Sequence, residues 1–249
     1  MIDKRPVVLL TGLGRPVGIA AGIAEKLASV GWDIAFVYSS RYDTEINGGA
    51  GDIPRMVERL DSLGAATVAI EADLGDPDVT SGVFDVAETL GPVTALVLSH
   101  THSTTAGILD VTIESFDRHF AVNTRASWLL IRELVRRLDD RPARIVALTS
   151  DAIHNEIAYG ASKGALDRIV FAAAREFGAR GITANLVNPG PIDTGWMTED
   201  VRDFLLARTP AGRLGTPADT AALVAFLLSP NGGWITGQLL KSDGGFSAP

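Results

Sequence analysis

The 249-residue chain contains no cysteine. That absence excludes disulfides and thiolate chemistry and leaves the redox compartment undetermined. No apolar run reaches the ~18 residues that a membrane span needs. A basic excess is also missing: 22 Lys and Arg stand against 30 Asp and Glu, a formal charge of −8. Such a balance favours solubility and argues against general nucleic-acid binding. Met1 leads through Lys4 and Arg5 straight into Val7-Val8-Leu9-Leu10, without the apolar stretch and cleavage site of a secretory leader. The expectation is a cytoplasmic protein that contacts neither membrane nor nucleic acid. No linker, internal repeat or low-complexity segment interrupts the chain, and its length suits one α/β domain over residues 1–249.

What the sequence does contain is an alternation of strand-length apolar runs with helical segments. The strand candidates are Val7–Leu10, Ile34–Tyr38, Thr67–Ile70, Ala95–Leu98, Arg144–Leu148, Thr183–Val187 and Gln238–Lys241. Most are apolar throughout, as strands covered on both faces are. Ile19, Ile23, Leu27 and Val30 mark one helical stripe, and Leu166, Ile169, Val170, Ala173 and Phe177 another. Asp76-Pro77 and Thr216-Pro217 have the form of helix starts, a capping side chain followed by proline. Strand–helix alternation from end to end predicts a doubly wound parallel sheet of about seven strands, a Rossmann fold.

The first strand runs into Thr11-Gly12-Leu13-Gly14-Arg15-Pro16-Val17-Gly18-Ile19-Ala20. Glycines allow a backbone to approach a pyrophosphate, and the helix N-terminus that follows offers unpaired N–H groups. The spacing departs from the dinucleotide fingerprint because three residues separate Gly14 from Gly18. At the end of the second strand, where a carboxylate would bind a ribose 2′-hydroxyl, the chain reads Tyr38-Ser39-Ser40-Arg41. Two hydroxyls and a guanidinium suit a 2′-phosphate, with Arg15 able to join from the glycine turn. NADPH is therefore the expected cofactor, in preference to NADH.

Tyr159 and Lys163 stand four residues apart, one helical turn. A phenol ionises near pH 10, and an ammonium one turn away is expected to draw that value down. Such a pair can give a proton to a carbonyl oxygen as hydride arrives, or remove one in the reverse direction.

Together these features resemble the short-chain dehydrogenase/reductase family along the whole chain. The matching marks are Thr11-Gly12, Asp73-Leu74, Asn123 in Phe120-Ala121-Val122-Asn123, Tyr159 with Lys163, Asn188-Pro189-Gly190-Pro191-Ile192-Asp193-Thr194, and Asp243-Gly244-Gly245. The resemblance implies Tyr159 as general acid/base, with Lys163 lowering its pKa and holding the nicotinamide ribose. It implies Ser150 as the hydroxyl on the substrate oxygen and Asn123 as support for a water relay. Asp73 and Leu74 would flank the adenine, and Ile192 and Thr194 would contact the nicotinamide amide beyond the Pro189-Gly190 bend. The implied activity is reversible reduction of a ketone or aldehyde, with a 3-oxoacyl thioester as the nearest substrate hint. A homotetramer is implied as well.

Three departures qualify the resemblance. The glycine turn carries two extra residues, like the branch containing enoyl-acyl-carrier-protein reductases, whereas the Tyr/Lys spacing follows the ordinary branch. The usual Asn-Asn-Ala-Gly after the fourth strand is Leu98-Ser99-His100-Thr101, so Ser99 and the backbone stand in for an asparagine contact, with His100 and His102 lining the site. No carboxylate or cysteine completes a ligand set with these histidines, and no metal is expected. Only eight residues separate Ser150 from Tyr159, which leaves the cleft either more open or lined by Asp151, His154 and Glu156, and leaves Thr149 as a rival to Ser150. Trp196 and Met197 suit an apolar lid or core packing. A catalytically weak NADP-binding regulator on the same fold is the alternative function.

Overall fold

The computed structural model describes residues 5–47, 49, 51–152, 155–195 and 197–249. Seven strands, β1 (Val7–Thr11), β2 (Asp33–Tyr38), β3 (Thr67–Glu71), β4 (Val93–Leu98), β5 (Arg144–Leu148), β6 (Thr183–Asn188) and β7 (Leu239–Lys241), form one parallel sheet ordered β3-β2-β1-β4-β5-β6-β7. Each lies within two residues of its expected bounds.

Alternate residues of each strand feed two different cores. Leu9, Val37, Leu96, Ile145 and Leu186 point into the first, and Leu10, Phe36, Val97, Val146 and Val187 into the second. This double burial explains why the strands are apolar throughout. The helices α1 (Ile19–Ser29), α3 (Ile53–Ser62) and α9 (Pro217–Leu228) cover the second core. The first is covered by α4 (Val79–Ala87), α6 (Ala126–Arg137) and α7 (Ile157–Phe177). Shorter helices α2 (Ser40–Asn47), α5 (Ile113–His119) and α8 (Glu199–Ala207) border the C-terminal ends of the strands, and a π-helical turn over Phe120–Arg125 links α5 to α6.

The helix stripes face inward as expected, except that Val30, just past α1, is 52 % exposed. Thr216 caps α9 through a reciprocal pair with Asp219, as its sequence implied. The expected start at Asp76-Pro77 is displaced. The Asp76 carboxylate accepts the Asp78 N–H in a tight turn, and α4 begins at Val79.

The strand order reverses between β1 and β4, the crevice in which doubly wound sheets hold ligands. Phe36 stands beside it on β2 with no solvent exposure. Phe36→Ala should lower unfolding free energy by about 3–5 kcal/mol, measured by urea denaturation.

Candidate active site

The C-terminal ends of β1 and β4 open into a cleft of about 590 Å³. Its wall runs from Asp73 and Leu74, past Gly12, Gly14, Arg15, Gly18 and Ile19, to Thr149, Tyr159, Lys163, Pro189 and Thr194. Gly12 is required where it stands. Its φ is +83°, and a Cβ there would lie 2.7 Å from the His100 backbone. Close passage of the two strand ends narrows the crevice to bare backbone.

Tyr159 lies on the first turns of α7 and lines the cleft. Burial pushes its pKa up to about 12; the Ser150 and Thr101 hydroxyls oppose that, while the charges of Glu156 and Tyr42 add to it. The expected lowering by Lys163 is not found. The Lys163 ammonium donates to the Leu148 carbonyl at 2.9 Å and stands 5.8 Å from the centre of the Tyr159 ring. Burial also lowers Lys163 itself to about 8, partly offset by Asp167 one turn further on. Its ammonium is committed to the Leu148 carbonyl, and burial dominates the phenol.

Thr149 and Ser150 differ in their hydrogen bonds. Thr149 gives its hydroxyl to Asp167 at 2.5 Å. Ser150 accepts the Ala152 N–H at 3.1 Å, and its hydroxyl is not taken up by a carboxylate.

Asn123, in the π-helical turn, is almost fully buried. Its Oδ1 accepts the His102 N–H at 2.7 Å, and its Nδ2 donates to the His102 carbonyl and the Ser162 hydroxyl, each at 2.9 Å. One side chain thus fastens the loop after β4 to α7. His100 lies inside this joint: Thr11 Oγ1 is 2.6 Å from its Nδ1, and the Val122 carbonyl is 3.0 Å from its Nε2. A carbonyl can only accept, so Nε2 carries the hydrogen and Thr11 donates to Nδ1. His102 does not line the cleft; its ring lies against Tyr42 and edge-on to His119. Among the described residues no cluster suits a metal. Of the remaining expected residues, His154 and Trp196 lie outside those described.

On the nucleotide side, Arg41 lies in the first turn of α2 and pairs with Glu45 one turn on at 2.8 Å, its side chain 80 % exposed. Ser39 lines the cleft, but Ser40 and Arg41 do not. Arg15 does, beside Asp43. Ser99 lines it too, its N–H held by Thr11 Oγ1 at 3.2 Å. Gly190 and Ile192 support the wall from behind: Gly190 turns at φ +65° against Asp243, and Ile192 is buried beside Gly215.

Five residues beyond those expected belong to the site. Arg118 reaches from α5 to Asp73 at 2.7 Å; burial works against the charge, but Arg118 and the Gly75 N–H hold the Asp73 carboxyl below its usual range. Tyr42 crosses from α2 to the Ser103 backbone, and the Asp43 carboxylate lies against Gly14. Thr101 and Asp167 are the others. The layout fits a dinucleotide at both ends, and at its centre Asp43 has to leave Gly14 before a phosphate can approach the turn. No signal in the sequence revealed these contacts, since each joins segments far apart in the chain.

The family described as enoyl-(acyl carrier protein) reductase matches residues 12–247. The chain belongs to the short-chain dehydrogenase/reductase family. As a member of this family it is an NAD(P)-dependent oxidoreductase. An uncharacterized oxidoreductase, YjdA of Bacillus subtilis, is 35 % identical over 98 % of both chains. An NADPH-dependent aldehyde reductase-like chloroplast protein of Arabidopsis thaliana is 34 % identical over 96 % of this chain and 93 % of its own. A blue fluorescent protein from a metagenomic library, solved in complex with NADPH, superposes with a TM-score of 0.85 at 34 % identity over 98 % of both chains. In this short-chain dehydrogenase/reductase, His100 is a buried joint between β1, β4 and the π-helical turn.

Burial, and then the charge of Lys163, lower the His100 pKa to about 3, whereas an unfolded histidine titrates near 6.5. The unfolded chain therefore takes up the proton first. The contribution of neutral His100 is complete above about pH 6.5 and declines as pH falls towards 3. Between pH 7 and 5, urea denaturation should report about 2 kcal/mol of lost stability from this residue. His100→Asn should remove that part of the pH dependence.

Proposed function

We propose that this protein is a single-domain, cytoplasmic, NADPH-dependent reductase of a ketone or aldehyde, working reversibly with Tyr159 as general acid and base. One observation carries the proposal: a half-buried phenol on the cleft wall beside Ser150, one turn before buried Lys163. When bound, the cofactor supplies the hydride. The chain supplies the proton and its control. Tyr159 gives its hydrogen to the carbonyl oxygen, and the Ser150 hydrogen bond stabilises the phenolate left behind. In the reverse direction the same phenolate takes the alcohol proton. Lys163, held on the Leu148 carbonyl at the cleft floor, is placed to bind the nicotinamide ribose.

The preference for NADPH is supported by Arg15 in the cleft and by the cofactor named for the Arabidopsis relative and for the blue fluorescent protein complex. A 3-oxoacyl thioester remains the substrate hint, joined by the aldehyde named for the plant relative. Tyr159→Phe should lower carbonyl reduction by about 10²–10⁴-fold while leaving NADPH affinity within a few-fold. Turnover indifferent to that substitution would favour a nucleotide-binding regulator instead. Arg15→Ala should weaken NADPH more than NADH, and Arg41→Ala should change neither.

Assembly as a homotetramer is part of the proposal. Phe116 and Phe120 stack at 4.8 Å beside Trp128, which is 46 % exposed, and Trp234 is 97 % exposed next to β7. Light scattering at micromolar concentration should give four times the mass of one chain; a monomer would refute it.

A further inference from the structure

We propose that Asp167 is a positioning residue for Lys163: through the Thr149 hydroxyl it pins the strand end whose Leu148 carbonyl holds the ammonium, and it sets a negative charge one helical turn away. This rests on Lys163 holding the nicotinamide ribose. Leu148 ends β5 and Thr149 follows it, while Lys163 and Asp167 stand four residues apart on α7. The Leu148 carbonyl accepts the Lys163 ammonium at 2.9 Å, and the Thr149 hydroxyl donates to Asp167 Oδ1 at 2.5 Å. Two rungs therefore join consecutive strand-end residues to one face of the helix. The Thr149 N–H donates to the Val187 carbonyl at 3.0 Å, so the same strand end is tied to β6 as well.

Leu148, Thr149 and Lys163 are buried, and Asp167 is half-buried. Burial makes a charged amine costly and favours its neutral form. It brings Lys163 down to about 8, and the Asp167 charge works in the opposite direction. The other titratable groups around the amine are uncharged near neutrality: Tyr159 one turn before it is protonated, and His100 at the end of β4 is neutral. At Asp167 burial favours the neutral acid, whereas the Thr149 hydroxyl, Lys163 and exposed Arg168 all favour the carboxylate. An ammonium has three hydrogens. One goes to Leu148, and Lys163 lines the cleft, where the others can meet a ribose oxygen. Loss of the proton leaves an amine with fewer and weaker donors.

A brace without electrostatic effect would leave the titration of Lys163 unmoved. The chain has four lysines, so 13Cε-lysine labelling gives few resonances, and Lys163→Arg identifies the one at issue. Its wild-type midpoint is expected at about pH 8. Asp167→Asn keeps the shape and an acceptor for Thr149 while removing the charge; Asp167→Ser replaces it should the amide disturb folding. The midpoint should fall by about one pH unit. Thr149→Val, which unpins the carboxylate, should move it in the same direction, and Thr149→Ser should restore it. By calorimetry, NADPH affinity should match between wild type and Asp167→Asn at pH 6 and be about fivefold weaker in the variant at pH 8. A Lys163 midpoint unmoved in Asp167→Asn or in Thr149→Val, or an affinity loss equal at both pH values, would overturn the proposal. Absence of NADPH binding in the wild type would instead remove the ribose role of Lys163, while the lysine titration would still decide its pairing with Asp167.

Discussion

The active site depends on one buried amide. Asn123 fastens both polar groups of the His102 backbone and the Ser162 hydroxyl, so the loop leaving β4 and the helix carrying Tyr159 and Lys163 cannot move independently. An asparagine at this depth is costly unless all its hydrogen bonds are made, and here they are. The π-helical turn over Phe120–Arg125 widens the helix where this side chain must point inward, a local distortion found repeatedly at functional sites. His100 completes the joint from the other side, tying Thr11 on β1 to the Val122 carbonyl in the same turn.

Burial sets the electrostatics of this centre more than any ion pair does. It raises Tyr159, lowers Lys163 and keeps His100 neutral. Tyr159 is thus fully protonated near neutrality, as the proposed general acid needs to be. Charge is concentrated instead at the nucleotide end, where Arg15 meets Asp43 and Arg118 meets Asp73 across the cleft. Opposed charges at that end keep the cleft wall near neutrality until a phosphate competes for the guanidinium groups.

Periodicity made the sheet legible, because double burial leaves strands apolar from end to end and every such run proved to be a strand. The Tyr159/Lys163 pair was legible for the same kind of reason, since a four-residue spacing determines a shared helix face. What sequence could not supply was the destination of each side chain across the fold. Thr149 and Ser150 differ only in that Asp167, eighteen residues on, occupies one hydroxyl. Arg41 was assigned to the cofactor because a guanidinium suits a 2′-phosphate where no carboxylate stands; its helical ion pair with Glu45, four residues later, was not part of that reading. Thr101 carried no signal at all, as its side-chain partner Asn123 comes from the π-helical turn.

Calorimetric titration with NADPH and, separately, NADH tests cofactor use at this site most directly. Tight binding of NADPH, with NADH at least about tenfold weaker (a difference of about 1.4 kcal/mol), is the predicted result. Equal affinity for the two, or binding of neither, would contradict it.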